Sequence, residues 1–563
     1  MLLKNLTTSL IRFLNIKNNL HYLVVMAVNI LLVLLKVYEI SYDAYTHMFF
    51  AKHYMENWFS LWETKWYGGF MVTGYPPLSH QIVAILAKFI GLSYAFGIVL
   101  MFSIVLLIYA ITKFFRTLLK TETKLIPVLL MFTPSIYLFA YCFGQLPTIL
   151  ATSFTILAAT YFQKSLASKG WKSLLILLLA SMYGSLTIIT HHITAFFLLP
   201  SLILAMFLEH IISSKRTRRF LLNILAKLTL FIILVLIFSL PIIYHVVKFI
   251  LTTPKQAPIP HASRENIFSD IVSSITFFWG VYGPLAILLP LAFYVLLDRK
   301  KYVTTIYLLM LLIFGLGGVT PIPKLLLGNE LYEILTFDKF SFWTSILAVP
   351  LVAYYLKYEL GKSIARTSLT IKIALLLFII SSILTILLPR IIPLQPPRPD
   401  IDAIANYLNE QEDMGFYVTL GLGTWFQELS LKTNKPTLDG GYNTARTIPI
   451  LVHSGVESID AAKTFPNGTI FINILLSKAS EYGIRWVIVG DGAFEKLVSE
   501  KGFRKVYEAG RVTIWEQKDY VEGFLRTYKQ KNVRSYLWGM VPLAILSLTI
   551  IVNIWYRLWR IES

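Results

Sequence analysis

Long apolar runs alternate with short polar stretches along most of this chain. Runs near 21–39, 95–112, 125–142, 145–163, 173–190, 193–212, 220–243, 271–297, 302–320, 336–356, 369–393 and 536–556 are of membrane-crossing size. A helix needs roughly 20 apolar residues to cross the hydrocarbon core. The pattern therefore predicts twelve crossings. The stretch Pro77 to Ile90 is shorter, opens on the second proline of a pair and carries His80 and Lys88. It reads as an interfacial or half-spanning helix; as a full span it would make thirteen crossings and break the charge pattern described next. The first run is too long for a signal-peptide core and no small-residue cleavage site follows it, so a retained helix is expected.

Composition agrees. Of 563 residues, 56% are hydrophobic and 15% charged, with a mean hydropathy of +0.65. That excludes an ordinary soluble globular protein and fits a polytopic membrane protein. The single cysteine, Cys142, rules out intrachain disulfides and cysteine-based metal sites. The formal charge of +20 is not a nucleic-acid patch. The short stretches 1–19, 113–124, 164–172, 213–219, 298–301, 357–372 and 557–563 carry 23 Lys and Arg against 4 Asp and Glu, a net of +19. With twelve crossings all of them fall on one side, the positive-inside signature, which puts both termini in the cytoplasm. Residues 394–534 hold 17 basic and 17 acidic residues and are neutral.

The opposite side receives 40–76, the Gly144-Gln145-Leu146-Pro147 turn, the His191-His192 turn, 244–270, 321–335 and the region from about 394 to 535. Asp43, His47, His53, His191, His192, His245, His261 and Asp338-Lys339 are thereby expected near one face. Taken singly, each has a structural explanation as an interfacial anchor. Their convergence points to function, because ionisable groups at membrane depth are costly.

Residues 394–535 predict a small α/β domain after the proline-rich linker Ile391 to Pro399. Helices are expected at Asp400–Asn409, Ser477–Tyr482 and Phe494–Glu500, and strands at Phe416–Leu420, Trp486–Val489, Lys505–Tyr507 and Val512–Trp515. The glycine runs at Leu420–Gly423 and Asp439–Asn443 lack the spacing of a phosphate loop and read as tight turns. Asn467-Gly468-Thr469 is a glycosylation sequon on the outer side, a motif frequent by chance.

The order of features resembles a known family. A first helix is followed by Tyr42-Asp43-Ala44-Tyr45-Thr46-His47, a loop with Trp58, Trp62 and Trp66-Tyr67-Gly68-Gly69, and then Tyr75-Pro76-Pro77-Leu78. This is similar to GT-C type membrane glycosyltransferases that use polyprenyl-phosphate sugars. Thr190-His191-His192-Ile193-Thr194-Ala195 and Phe337-Asp338-Lys339-Phe340 narrow the resemblance to the largely archaeal membrane proteins called "6-pyruvoyl-tetrahydropterin synthase-related". The name implies no pterin chemistry here, since no zinc-binding histidine triad of that kind is present.

The resemblance implies a GT-C-like membrane domain at 1–393, with its first outer loop at 40–76 and the interfacial helix at 77–90. An extracytoplasmic α/β domain at 394–535 and a final helix with a short cytoplasmic tail at 536–563 complete the chain. It also implies inverting transfer from a polyprenyl-phosphate-linked sugar to an extracytoplasmic glycan, lipid or protein acceptor at the cell membrane. Asp43 matches the first-loop carboxylate and is the candidate general base, with His47 one turn later to orient it or to contact phosphate. Positions 41 and 45 are Ser and Tyr, so a two-carboxylate metal site is not expected, and no cofactor is called for; a metal held by His47, His191 and His192 is the alternative. Lys339 and Arg264 are candidates for the leaving phosphate. Tyr75, Trp62, Trp66, His191 and His192 are candidates for substrate contact, with membrane anchoring or a structural turn as competing explanations. Two other classes stay open: a transporter or lipid flippase, and a non-catalytic scaffold for surface-glycan assembly.

Overall fold

The computed structural model describes residues 16–214, 217–360, 364–413, 415–519 and 533–562. The expectations for 1–15, and for 520–532 at the end of the α/β domain, lie outside the described residues. Each of the twelve apolar runs is helical. Among the described residues, seven helices are long and apolar enough to cross a membrane: Leu92–Leu119, Gly170–Ile188, Thr194–Ile212, Arg218–Thr252, Asp338–Glu359, Leu369–Ile391 and Tyr536–Leu558. The pair Ile271–Tyr282 and Leu285–Asp298, bent by 43°, forms a broken span or a re-entrant loop. The bend falls at Gly283, whose φ of 49° a side chain would resist. The protein is thus a polytopic α-helical membrane protein carrying a small α/β domain.

The other expected crossings are helices that are shorter, broken or more polar. Asn19–Leu34 and Tyr302–Gly315 are apolar but short. The run from Leu125 breaks before Pro134, which cannot continue the preceding helix. Leu146–Ala167 has the length, but Thr148, Thr152, Ser153, Thr155 and Thr160 are all buried along it. Inside the bundle those hydroxyls find partners: Trp343 donates to Thr152 at 3.1 Å, and Thr155 meets Thr187 at 3.1 Å. Such contacts join helices that have no hydrophobic drive to associate in lipid.

Five helices position the site and its surroundings, α1 (Ile16–Leu34), α2 (Ala44–Glu56), α3 (Leu78–Ile90), α4 (Leu92–Leu119) and α5 (Leu146–Ala167). Two more, α6 (Asp338–Glu359) and α7 (Ile364–Ile391), follow later in the chain. At 13 residues each, α2 and α3 reach only about 20 Å. Helix α3 is therefore the short helix expected from the sequence, and Gly91 at φ 80° turns it into α4.

The α/β domain has strands β1 (Phe416–Leu420), β2 (Ile484–Val489), β3 (Arg504–Ala509) and β4 (Val512–Glu516). Their order in the sheet is β1, β2, β4, β3. The first pair is parallel and the rest antiparallel. The four predicted strands and the helices at Ile401–Glu410 and Glu495–Glu500 are present. Ser477–Tyr482 is a correction. The helix lies one step earlier, α8 (Gly468–Ser477), and residues 478–483 form turns. Asn467 caps α8 at φ 60°, and a Cβ on Gly468 would lie 1.7 Å from the Ala462 carbonyl oxygen, so the chain must begin this helix on glycine.

The two ends of the bundle differ. Arg557, Lys227 and Lys301 hold one end together: Arg557 donates to Tyr109 at 2.7 Å, Lys227 to the Ser165 and Ser168 carbonyls, and Lys301 lies 3.9 Å from Glu209. The α/β domain caps the other end. There it packs on the loop between α2 and α3, where Trp66 donates to Ser430 at 3.0 Å and Thr437 donates to the Lys65 carbonyl at 2.7 Å.

Candidate active site

Asp43 sits at the N-terminal end of α2. Its backbone amide donates to the Phe143 carbonyl, and that of Tyr42 to the Cys142 carbonyl, both at 3.1 Å. These bonds bring the turn before α5 against the start of α2. Gly144 makes the approach feasible. At φ 73°, its Cβ would fall 2.6 Å from both the Ala44 nitrogen and the Ser41 hydroxyl. Gln145 then donates from Nε2 to Asp43 Oδ2, while Thr148 donates to Gln145 Oε1 at 2.8 Å. Thr148 thus fixes which end of the amide faces the carboxylate. Among the described residues nothing donates to Asp43 Oδ1.

The surroundings of Asp43 make it an unusual acid. Burial, then the neighbouring Glu457 carboxylate, push it up to about 7, against the opposing charge of Lys339 and the Gln145 hydrogen bond. Asp43 is half-buried and Glu457 keeps an exposed side chain, although protein surrounds both. Accessible surface with protein packed around it puts both in a recess. Glu457 is pushed up as well, by burial and by Asp439 against Arg446. It belongs to the α/β domain, in a loop whose Val456 and Glu457 carbonyls accept from the buried Arg446 guanidinium.

Tyr75 is the hub of the neighbouring side chains. Its ring lies 5.6 Å from His47, 5.1 Å from His80, 6.2 Å from His191, 5.5 Å from His192 and 5.5 Å from Tyr442, between centroids. His47 Nδ1 and His80 Nε2 share a hydrogen bond of 3.1 Å, and His191 Nδ1 meets the Thr194 hydroxyl at 2.8 Å. Burial pushes His47 down to about 3 and, aided by Lys339, His192 to about 4. His80 and His191 are held well below the usual range, by burial and then by their histidine neighbours. All four are neutral at pH 7. Three of their ring nitrogens, His47 Nε2, His80 Nδ1 and His192 Nδ1, have no hydrogen-bond partner among the described residues. Buried polar atoms of this kind are ready to meet a ligand.

Lys339 opens α6. Its ammonium is 2.9 Å from the Thr336 hydroxyl and 3.6 Å from Asp338, and its charge is felt at Asp43, His191 and His192. His261 and Ser263 anchor this corner, since Ser263 accepts from the Phe337 amide at 2.9 Å. Asp43, Tyr75, His47, His191, His192 and Lys339 therefore gather in one place.

Other expected members are elsewhere. Trp66 is fully buried, stacked on Phe49 at 3.6 Å and bonded to Ser430. Its ring is packed between Phe49 of α2 and Gly440 of the α/β domain and its N–H is bonded to Ser430, so it offers nothing to a sugar. Trp62 lies over Gly69, whose Cβ would come within 2.4 Å of its ring, and it shapes the first loop rather than touching Tyr75. Arg264 donates to the Ile259 carbonyl and sits beside His261, at the margin of the group. His47 does not orient Asp43: its ring turns to His80, and Gln145 does the orienting. His53 is bound to Glu63 at 2.7 Å and to the Ser60 carbonyl at 2.9 Å, which makes it a strut of the first loop. Among the described residues no group of three His, Cys, Asp or Glu side chains is arranged to hold a metal ion.

Gln145, His80, Tyr442 and Glu457 were not identified from sequence. Tyr442 donates its hydroxyl to the Gly74 carbonyl at 2.8 Å, and its amide donates to Tyr67 at 3.0 Å. The run Asp439-Gly440-Gly441 is more than a turn. A Cβ on Gly441 would lie 2.2 Å from the Thr46 hydroxyl, and one on Gly440 would meet Trp66, so the two glycines let the domain close onto α2.

No family model matches this chain, and no curated protein matches it by sequence. The narrower archaeal family suggested by the motifs thus gains no support of its own. Solved structures do match. ArnT from Cupriavidus metallidurans in the apo state superposes with a TM-score of 0.57 at 12% identity, over 87% of this chain and 97% of that one. ArnT bound to undecaprenyl phosphate gives 0.55 at 11% identity, over 88% and 97%. At that identity the likeness speaks for architecture: this chain has the GT-C fold of ArnT, across nearly its whole length.

Proposed function

We propose that this protein is a membrane glycosyltransferase that moves a sugar from a polyprenyl-phosphate donor to an acceptor hydroxyl by a single inverting displacement. The carrying observation is Asp43, an accessible carboxylate held by Gln145 with Oδ1 unused, within electrostatic reach of Lys339. The acceptor oxygen attacks the anomeric carbon, the bond from that carbon to the phosphate oxygen breaks, and the lipid phosphate leaves with the electron pair. Asp43 takes the acceptor proton, for which an acid poised near neutral pH is suited. Lys339 faces the charge that develops on the leaving phosphate. Tyr75, Tyr442 and the neutral histidines supply stacking surface and hydrogen-bond partners for the sugars.

The structure of ArnT with undecaprenyl phosphate supports a polyprenyl-phosphate partner for this fold. On this reading the end bearing Lys227, Lys301 and Arg557 is cytoplasmic, both termini included. The cavity and the α/β domain then face the extracytoplasmic side. The acceptor is a surface glycan, lipid or protein, and the archaeal-type family is the proposed home of the sequence. A scaffold would have no use for an accessible Asp43 between two charged neighbours.

The test is transfer by the purified protein in liposomes, given labelled polyprenyl-phosphate sugars and total membrane lipid as acceptor. Loss of labelled product in Asp43→Asn, with folding and insertion retained, is the expected result. A full rate in that variant removes Asp43 from the role of base, and sugar-lipid flux without transfer would favour a flippase.

A further inference from the structure

A pocket of about 480 Å³ lies where α1 and α7 end beneath the linker to the α/β domain, and it shares no lining residue with the Asp43 group. Three cations line it, Lys36, Arg390 and Arg398, against one carboxylate, Glu39. That carboxylate is already engaged, 2.5 Å from the Ser93 hydroxyl and 3.5 Å from Lys36. Arg398 reaches out of the pocket to Glu428 through bonds of 2.9 and 2.5 Å. Arg390 is exposed, and among the described residues it has no ion pair. Lys36 ends α1 at φ 50°, a left-handed conformation that a side-chain-bearing residue adopts at a cost.

Leu35, Val37, Ile40 and Trp425 give the pocket its apolar lining. On the helices that lead to it, Leu31 and Leu34 of α1 and Leu35 just beyond it are 56%, 62% and 61% exposed, and Leu384, Leu387 and Ile391 of α7 are 53%, 39% and 60% exposed. Both helices thus carry exposed hydrocarbon just short of the cations. A soluble anion would satisfy the cations and leave the leucines without a partner. A lipid satisfies both, since its phosphate matches the charge that Arg390 adds beside the Lys36–Glu39 pair and its chains match the leucines.

We propose that this pocket holds the phosphate headgroup of an anionic bilayer lipid, apart from the catalytic cavity. Its chains run beside Leu34, Leu35, Leu387 and Ile391. The lipid pins the Gln395–Arg398 linker to the membrane surface and so sets the height at which the α/β domain sits over the bundle.

Full-length protein is placed in nanodiscs of phosphatidylcholine with a minor share of phosphatidylglycerol and then extracted. The lipid it retains is counted by native mass spectrometry. The wild type retains phosphatidylglycerol well above its bulk share. Lys36→Gln with Arg390→Gln lowers that enrichment about tenfold, Lys36→Arg with Arg390→Lys preserves it, and Lys300→Gln at the far end leaves it unchanged. Should the double variant not fold, the exposed Arg390→Gln alone carries the test, with a loss of about threefold. Unchanged enrichment in a folded variant overturns the proposal. So does displacement of the signal by inorganic phosphate, which would mark an anion site with no lipid requirement. No sugar transfer is measured, so the result is independent of the proposed activity.

Discussion

Asp43 and Asp460 are two aspartates that their surroundings push up to about 7, chiefly through burial, and they stand in opposite situations. Asp460 lies inside the α/β domain at 2% exposure. Its carboxylate accepts from the Leu422 amide at 2.9 Å and the Gly423 amide at 2.7 Å, while its own amide is bound to Asp439 at 2.8 Å. Those bonds hold the Gly421–Gly423 turn, and nothing from outside can reach the carboxylate. Asp43 accepts one side-chain bond, keeps accessible surface and has Lys339 and Glu457 within electrostatic reach. A perturbed acid marks burial; an unused acceptor with access marks a place for chemistry.

Four substitutions can break or sharpen this contrast. The largest effect falls on Asp43→Asn, which lowers transfer by about a thousandfold, read as product formed in liposomes, with the thermal unfolding midpoint unchanged. Next comes Lys339→Gln, expected to lower transfer by about a hundredfold, with Lys339→Arg recovering part of it. The third is Gln145→Leu. On the proposed reading the active base is the carboxylate, so the wild-type rate is expected to climb as pH rises through about 7. Removing the Gln145 bond disfavours the carboxylate and moves that rise to higher pH, which lowers the rate below pH 7 by about fivefold to tenfold. A pH–rate profile that stays put would mean that Gln145 serves only as packing. The smallest effect on transfer belongs to Asp460→Ala, which leaves the rate per folded molecule within about twofold. It costs the α/β domain about 1–3 kcal/mol in orphaned amides, measured by thermal unfolding. A large rate loss without destabilisation would erase the distinction between the two aspartates.

The elements that were legible in the sequence are those specified locally. Apolar runs gave the helices, alternation and turn residues gave the four strands, and the short run after Pro76-Pro77 gave α3. Asp43 and Lys339 stood out because each is a charge at the end of an apolar helix. Gln145 gave no such signal: it lies 102 residues from Asp43, and only the glycine before it hints at a close approach. His80 looked like one polar residue in an interfacial helix until His47 was placed beside it. Trp66 was misread because an aromatic loop has one composition whether it meets lipid, sugar or a second domain. Tyr442 and Glu457 come from a region that reads as a neutral appendage, and only its docking reveals that it walls the cavity.

That docking has a consequence for how the protein is made. Thr46 is bonded to Gln427 at 2.8 Å, and Trp66 to Ser430, across 381 and 364 residues of chain. The first loop leaves the ribosome early, yet Thr46 and the Trp66 N–H have no such partner until the last quarter of the chain has been synthesised and has docked on them. The cavity around Asp43 is therefore completed late in biogenesis. A chain stopped before the α/β domain would insert its helices and still leave that cavity without its roof.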